Sequence, residues 1–471
     1  MSEFSYQTIT QFSAAFQSGE LSPQELMDQS WSRIEHFNGS LKAFLHLTRE
    51  RALNEAHQAW SMIKSGRFTN LLRGIPYAVK DLFDVQGVPT TAGCRLLSQN
   101  MAQKDCAVVQ RLTKAGMVLL GKTNTVQFAF SGVGINHDQG TPLNPWKTKP
   151  YIPGGSSSGS AVAVAAGMVP MALGTDTGGS VRIPAALCGL VGLKTTVGRI
   201  SRSGVYPLSW TLDSVGVLTR SVEDAALVYQ VLQGPDPDDP TTVHVPSQNV
   251  LSNLKDGLKG LRLAFGETVF FDEVDPEVAQ AVRETAAVFQ SLGARVSSRE
   301  LPEVAETFSS RKRALMIAAE ACVVNEKLLN DHYDQLDPVV AERMIAGRTL
   351  SAPDYLTELR LWQNLRFRIL QSLKDIDVLL VPTTIIPAKA LAEVDASAES
   401  YRLFNGKYLR NTSLGNILNL CAVSLPCGFT RDGLPIGLML YAKPFQEELA
   451  LRVALAYELA AQWHSRHPDF L

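Results

Sequence analysis

Apolar positions recur along the chain first with a helical period and then with a mixed one. Residues 7–65 repeat every three to four positions and predict helices. Leu21-Ser22-Pro23 marks a start, with Ser22 as N-cap and Pro23 in the first turn, and an amphipathic run continues to about Phe37. A second helical run, from about Leu47 to Lys64, stops at Ser65-Gly66-Arg67. From Gly74 the pattern changes. Short apolar runs of strand type (PYAVKDLF, GMVLLGKT, VPMALGTD, LVGLKTT) alternate with helical ones (AVVQRLTKAG, GSAVAVAAG, SVEDAALVYQVL). This alternation predicts an α/β sheet covered by helices on both faces.

GPDPDDPTT, at 234–242, interrupts the alternation and reads as a surface loop rather than a domain boundary. Beyond it come a strand (LRLAFG), a helix over 276–292 and a second strand (ARVSSREL). Long helical stretches follow at about 303–330 and 353–374, then a strand at 376–384 and a helix near 411–420. The C-terminal part predicts two strands around an Asp432-Gly433 turn and a last helix over 446–462.

Composition narrows the function classes. A chain of 471 residues with 45% hydrophobic content can bury a large core. Lys and Arg total 44 against 46 Asp and Glu, a net charge of −2 that offers no footprint for nucleic acid or an anionic membrane. The most apolar stretch, 161–174, is broken by Gly167 and Pro170 and is too short to span a bilayer. The first residues lack the layout of a secretion signal, and the six cysteines lack CxxC spacing. The expectation is a cytoplasmic protein without disulfides, metal site or cofactor.

Three short patterns match catalytic signatures. GMVLLGKT, at 116–123, fits the phosphate-binding pattern GxxxxGK[ST], but Met117–Leu120 is itself a buried-strand sequence and a helix precedes Gly116. Lys122 is therefore expected to be structural. Gly155-Ser156-Ser157-Ser158-Gly159 fits the GxSxG nucleophile elbow with Ser157 as nucleophile. The segment upstream carries Pro145, Pro150 and Pro153 instead of a strand, and His332 is the one histidine plausibly placed behind it. SMIK (61–64) and SNLK (252–255) fit SxxK without the companion motifs.

The third pattern joins Gly154–Ser160, Thr175–Ser180 and Lys80. Small residues at 177–180 let several backbone N–H groups converge on one point, as a developing oxyanion requires. Ser180 ends that run, so its Oγ is placed to attack a carbonyl held there. A serine needs a base, and Lys80 stands among Ile75, Tyr77, Val79, Leu82 and Phe83, where burial disfavours the ammonium form. The plainer alternative pairs Lys80 with Asp81 or Asp84 and makes the glycines turns.

Residues 154–201 closely resemble the amidase signature sequence. The resemblance extends to GIPYAVKDLFDVQGVPTTAG (74–93), AGMVLLGKTNTVQFAFS (115–131), LDSVGVLTRSVEDAALV (212–228) and, more loosely, 423–445. It implies one amidase domain over 1–471, with an N-terminal helical part (1–70), a signature core (71–233) and a variable substrate-side part (243–471). It implies a mixed central sheet with helices on both faces and a Ser–Ser–Lys triad. In that triad Ser180 is the acyl-forming nucleophile, Ser156, behind a cis peptide bond, relays the proton, and Lys80 is the base. Backbone N–H groups of Thr177, Gly178, Gly179 and Ser180 would form the oxyanion hole, with Asp176 and Arg182 as a structural bracket. Ser158 and Thr195 stand where the family often has Gly and Pro.

The implied activity is cleavage of a small carboxamide or urea-like amide, without cofactor or metal. The family also contains the glutamine-hydrolysing subunit of the glutamyl-tRNA amidotransferase, which is the alternative. Arg343 and Asn411 are candidate substrate contacts. The expected partner is a small-molecule amide, with no nucleic acid and no membrane, and a homodimer stays open. Residues 406–427 contain no Asp or Glu. A substrate ammonium would then lack a carboxylate, so free glutamine is expected to be a poor substrate.

Overall fold

The computed structural model describes residues 6–66 and 70–468. Eleven strands form one sheet: β1 (Phe44–Leu47), β2 (Pro76–Lys80), β3 (Val118–Thr123), β4 (Met171–Asp176), β5 (Val191–Lys194), β6 (Ser214–Thr219), β7 (Arg262–Gly266), β8 (Arg295–Arg299), β9 (Val378–Pro382), β10 (Cys421–Phe429) and β11 (Pro435–Ala442). Their order is β1-β3-β2-β4-β6-β5-β10-β11-β9-β7-β8. The sheet is mixed. β2 runs parallel to both β3 and β4, whereas β4–β6, β5–β6 and β10–β11 are antiparallel.

Consecutive strand residues face opposite sides, and both sides are apolar. Tyr77, Val79, Met171 and Leu173 enter one core, with the helices Ile9–Ser18, Val222–Leu232 and Glu447–Ala461. Ala78 and Ala172 enter the other, under the helices Pro23–Leu41 and Ser158–Ala165. Farther along, Ala422, Met439 and Tyr441 pack beneath Ala352–Ser372 and Ala398–Ile417. Helices thus cover both faces, as the alternation predicts.

Ser22 caps its helix as expected. It accepts from Glu25 N at 3.2 Å while Glu25 Oε2 accepts from Ser22 N at 2.7 Å. That helix runs to Leu41, past the predicted Phe37. β1 was not foreseen; it pairs with β3 just ahead of the helix Arg49–Lys64. The stretch 303–330 is three helices, Pro302–Ser309, Arg313–Val324 and Glu326–Asp331. The helix placed near 411–420 instead begins at Ala398 and ends at Ile417. The 234–242 segment is a loop tied to the body, with Asp236 Oδ2 accepting from Ser201 Oγ at 2.5 Å and Asp239 Oδ2 from Arg202 N at 2.8 Å. Among the described residues no helix is long and apolar enough to cross a membrane.

Candidate active site

Parallel pairing of β2 and β4 sets Val79 opposite Leu173, so Lys80 and Thr175 emerge at the same carboxyl edge. Ligand sites of α/β sheets favour that edge. Lys80 Nζ lies 2.7 Å from Ser156 Oγ and 2.8 Å from Thr175 Oγ1, with all three side chains buried. Burial pushes the Lys80 ammonium down to about 7 against the opposing pull of the Asp213 and Asp176 carboxylates. A lysine in that state is partly neutral near neutral pH, and the neutral fraction carries a free lone pair.

Ser156 follows a cis Gly155–Ser156 peptide bond. Its carbonyl accepts from Val126 N at 3.2 Å and Thr125 Oγ1 at 3.0 Å, which fastens this segment to the chain beyond β3. The next residue ties the two serine segments together, because Ser157 N donates to Ser180 O at 3.2 Å. A Cβ on Gly155 would lie 2.7 Å from Gly134 Cα, so only glycine permits this approach.

Ser180 closes the loop that leaves β4. With Thr177 and Gly178 it lines a small cavity of about 40 Å³. Gly179 holds the loop's shape: its φ is +136°, and a Cβ there would lie 2.1 Å from Thr412 Oγ1. Thr412 Oγ1 donates to Gly178 O at 2.6 Å, locking the loop against the helix Ala398–Ile417.

The expected oxyanion hole is narrower than four groups. Gly179 N donates to Asp176 Oδ1 at 2.8 Å, so this N–H faces the carboxylate rather than the cavity. The N–H groups of Thr177, Gly178 and Ser180, whose residues line the cavity, have no acceptor among the described residues. Asp176 also receives Arg182 Nη2 at 2.9 Å, and Arg182 reaches Tyr441 Oη at 2.9 Å and Asn416 Oδ1 at 2.6 Å. Burial raises the Asp176 carboxyl, but Arg182, Lys194 and Asn416 together outweigh it and hold it well below the usual range. The pair is a buried bracket beneath the loop.

Two residues at this site were given no role from the sequence. Thr175 heads the run that ends in Ser180 but reads as part of an apolar strand, and its hydroxyl holds Lys80. Asp213 accepts from Thr177 Oγ1 at 2.5 Å and from Leu208 N and Ser209 N at 2.9 and 3.0 Å, steadying the loop from the other side. Its segment, LDSVG, lies inside the stretch of resemblance.

Of the two candidate substrate contacts, Arg343 lines the small cavity and a larger adjoining one of about 520 Å³. Its guanidinium stacks 4.1 Å from the Phe130 ring and donates to Phe130 O. Burial pushes it down to about 10. Asn411 is turned into the protein: its Nδ2 donates to Phe270 O and Pro382 O, both at 2.9 Å.

The rival motifs resolve differently. Gly116–Thr123 leads into and forms β3, and Lys122 is paired with buried Asp81 at 2.8 Å and donates to Pro89 O and Thr90 Oγ1. Ser157 Oγ is buried and donates to Thr175 O at 3.3 Å. His332 sits beside Gln335 at a helix end.

Known proteins share this arrangement of chain. A sequence model of the family described as Amidase matches residues 25–451. An amidase of Pseudomonas putida is 39% identical, covering 100% of this chain and 99% of its own. A glutamyl-tRNA(Gln) amidotransferase subunit of Chloroflexus aggregans is 36% identical over 100% and 99%. The solved structure of 6-aminohexanoate cyclic dimer hydrolase complexed with substrate superposes with a TM-score of 0.88 at 27% identity, covering 99% of each chain.

Proposed function

The chain belongs to the amidase family and is a hydrolase of carbon–nitrogen bonds, and from that premise we propose that it cleaves a small carboxamide or urea-like amide through an acyl-enzyme on Ser180. The observation that carries the proposal is the buried Lys80–Ser156 contact at 2.7 Å, with the lysine pushed down to about 7, beside the loop that ends in Ser180. Neutral Lys80 takes the Ser156 proton as Ser156 takes that of Ser180, and Ser180 Oγ attacks the carbonyl carbon. The resulting oxyanion accepts from the N–H groups of Thr177, Gly178 and Ser180. The proton returns through Ser156 to the leaving nitrogen, the C–N bond breaks, and ammonia or an amine departs. Water then enters by the same relay, and the acid is released. Every step is carried by side chains and backbone of this chain, so the scheme calls on no metal or cofactor.

A panel of simple amides with ammonia release as readout tests the activity. Mapping a fluorophosphonate label by mass spectrometry tests the nucleophile. Label on Ser180 supports the mechanism, and label on Ser157 would replace it with the elbow reading.

One observation favours the second function. Residues 406–427 are free of carboxylates, yet Glu273, from a distant loop, lines the larger cavity. The expectation that a substrate ammonium would find no acid therefore loses its basis, and glutamine hydrolysis within an amidotransferase complex stands as the alternative. Glutaminase activity that appears only with partner subunits and charged tRNA would select it.

A further inference from the structure

The small cavity at Ser180 opens into the larger one through Gly178, Ile317, Arg343 and Leu409, which line both. The larger cavity is rich in cations, but most of them are already engaged. Arg402 pairs with Glu342 at 2.7 Å, Arg313 donates to Phe308 O and Ser310 O, and Arg343 donates to Phe130 O. Arg410 is different. It is 9% exposed, its Nε reaches Asn411 Oδ1 at a long 3.4 Å, and its Nη2 is a buried donor with no hydrogen-bond partner.

A buried guanidinium N–H without an acceptor is costly, and Arg410 lines the larger cavity, so its guanidinium is placed to take an acceptor oxygen from a ligand held there. Asp272 and Glu273 act on Arg410 through space, but both are exposed, and no carboxylate of the described residues pairs with it. Lys407, three residues earlier on the same helix, lines the same cavity and adds positive charge. At the junction with the Ser180 cavity, Ile317 and Leu409 supply apolar wall beside Arg343, whose guanidinium is engaged by Phe130 O.

We propose that Arg410 is an anion subsite that binds a carboxylate carried by the acyl part of the substrate. The substrate class is then an acid amide, with a carboxamide at one end, a carboxylate at the other and a short apolar spacer between. Guanidinium and carboxylate match in planar, two-point geometry. This inference rests on the Ser180 reading and goes beyond it, because that reading is indifferent to the substrate's charge.

The test compares matched pairs: the monoamide of a four- to six-carbon dicarboxylic acid against the uncharged primary amide of the same length, followed by ammonia release. Wild type is expected to prefer the acid amide by about 30-fold in kcat/KM, as an ionic hydrogen-bonded contact implies. In Arg410→Met that preference collapses toward unity through a raised KM, and Arg410→Lys restores part of it. Lys407→Met, in the lining of the same cavity, lowers the preference severalfold. In wild type the matching dicarboxylate should compete with substrate at lower concentration than the monocarboxylate. The proposal is overturned by equal turnover of both amides in wild type with Ser180 still labelled, and equally by a preference that survives in folded Arg410→Met. Failure of both amides together with absence of label on Ser180 removes the parent reading and this one with it.

Discussion

The loop around Ser180 and the cavity around Arg410 lie side by side yet are built in opposite ways. Around Ser180 the polar groups answer one another: Asp176 holds Gly179 N and Arg182, Asp213 holds Thr177, and Lys80 holds Ser156 and Thr175. Around Arg410 apolar walls carry excess positive charge and a donor is left without an acceptor. Apart from the N–H groups of Thr177, Gly178 and Ser180, the first region satisfies its polar groups without substrate, as a preorganised site requires. The second is incomplete without one. Chemistry and selectivity should therefore separate under mutation.

The largest effect belongs to the complete region. Ser180→Ala removes the proposed nucleophile and should lower kcat by about 10⁵-fold while abolishing the fluorophosphonate label. An active Ser180→Ala variant would end the separation, since the chemistry would then reside elsewhere.

Lys80→Met and Ser156→Ala come next, each expected to lower kcat/KM by about 10³-fold with the fold retained by circular dichroism. The sign of the pH dependence follows from the base. Only the neutral amine accepts a proton, so activity should be low below about 7, rise through it and level off above. An ordinary exposed lysine would place that rise near about 10.4. A profile flat from about pH 6 to 9 would remove Lys80 from the relay.

The Asp176–Arg182 bracket tests stability rather than chemistry. Asp176→Asn leaves a buried guanidinium short of its counter-charge, a loss of about 3–5 kcal/mol. It should appear as a Tm lower by several degrees, together with a kcat reduced by about 10²-fold as the Gly179 turn loosens. Loss of activity at unchanged Tm would mean that Asp176 acts directly in the reaction.

The two regions also differed in how far the sequence disclosed them. Ser180 and Lys80 stand out because small residues or an apolar setting crowd round one polar group, a local pattern, whereas Ser156 was told from its neighbouring serines by the resemblance to the amidase signature. The strands beneath them are legible for the same reason, since alternating burial on two apolar faces leaves a short hydrophobic run. What stayed hidden depends on long-range packing. Thr175 is silent because a strand hydroxyl looks the same whether it meets a lysine or solvent. Gly179 entered the expected oxyanion hole with the resemblance, which does not say which N–H turns to Asp176. Glu273 reaches the cavity across more than a hundred residues of chain, so the acid-free run at 406–427 misrepresented the cavity's charge. The short β1 was missed because four residues between two helices carry too little pattern.

Asn411 gives the smallest effect and the sharpest test of the division. It neighbours Arg410 on the helix Ala398–Ile417, and successive helical residues point about 100° apart, as about 3.6 residues per turn dictate. When one faces the cavity the other faces the body, where Asn411 Nδ2 joins the helix to Phe270 O and Pro382 O. Asn411→Ala leaves two buried carbonyls without that donor and should destabilise the fold by about 1–3 kcal/mol. Since the amide does not meet substrate in this arrangement, kcat should stay within about twofold. Any rise in KM should be small and should affect acid amides more than neutral ones, because Arg410 Nε loses its neighbouring oxygen. Thermal unfolding and steady-state kinetics on the two amides separate the cases. A tenfold fall in kcat at unchanged Tm would place Asn411 against the substrate and erase the boundary between the two regions.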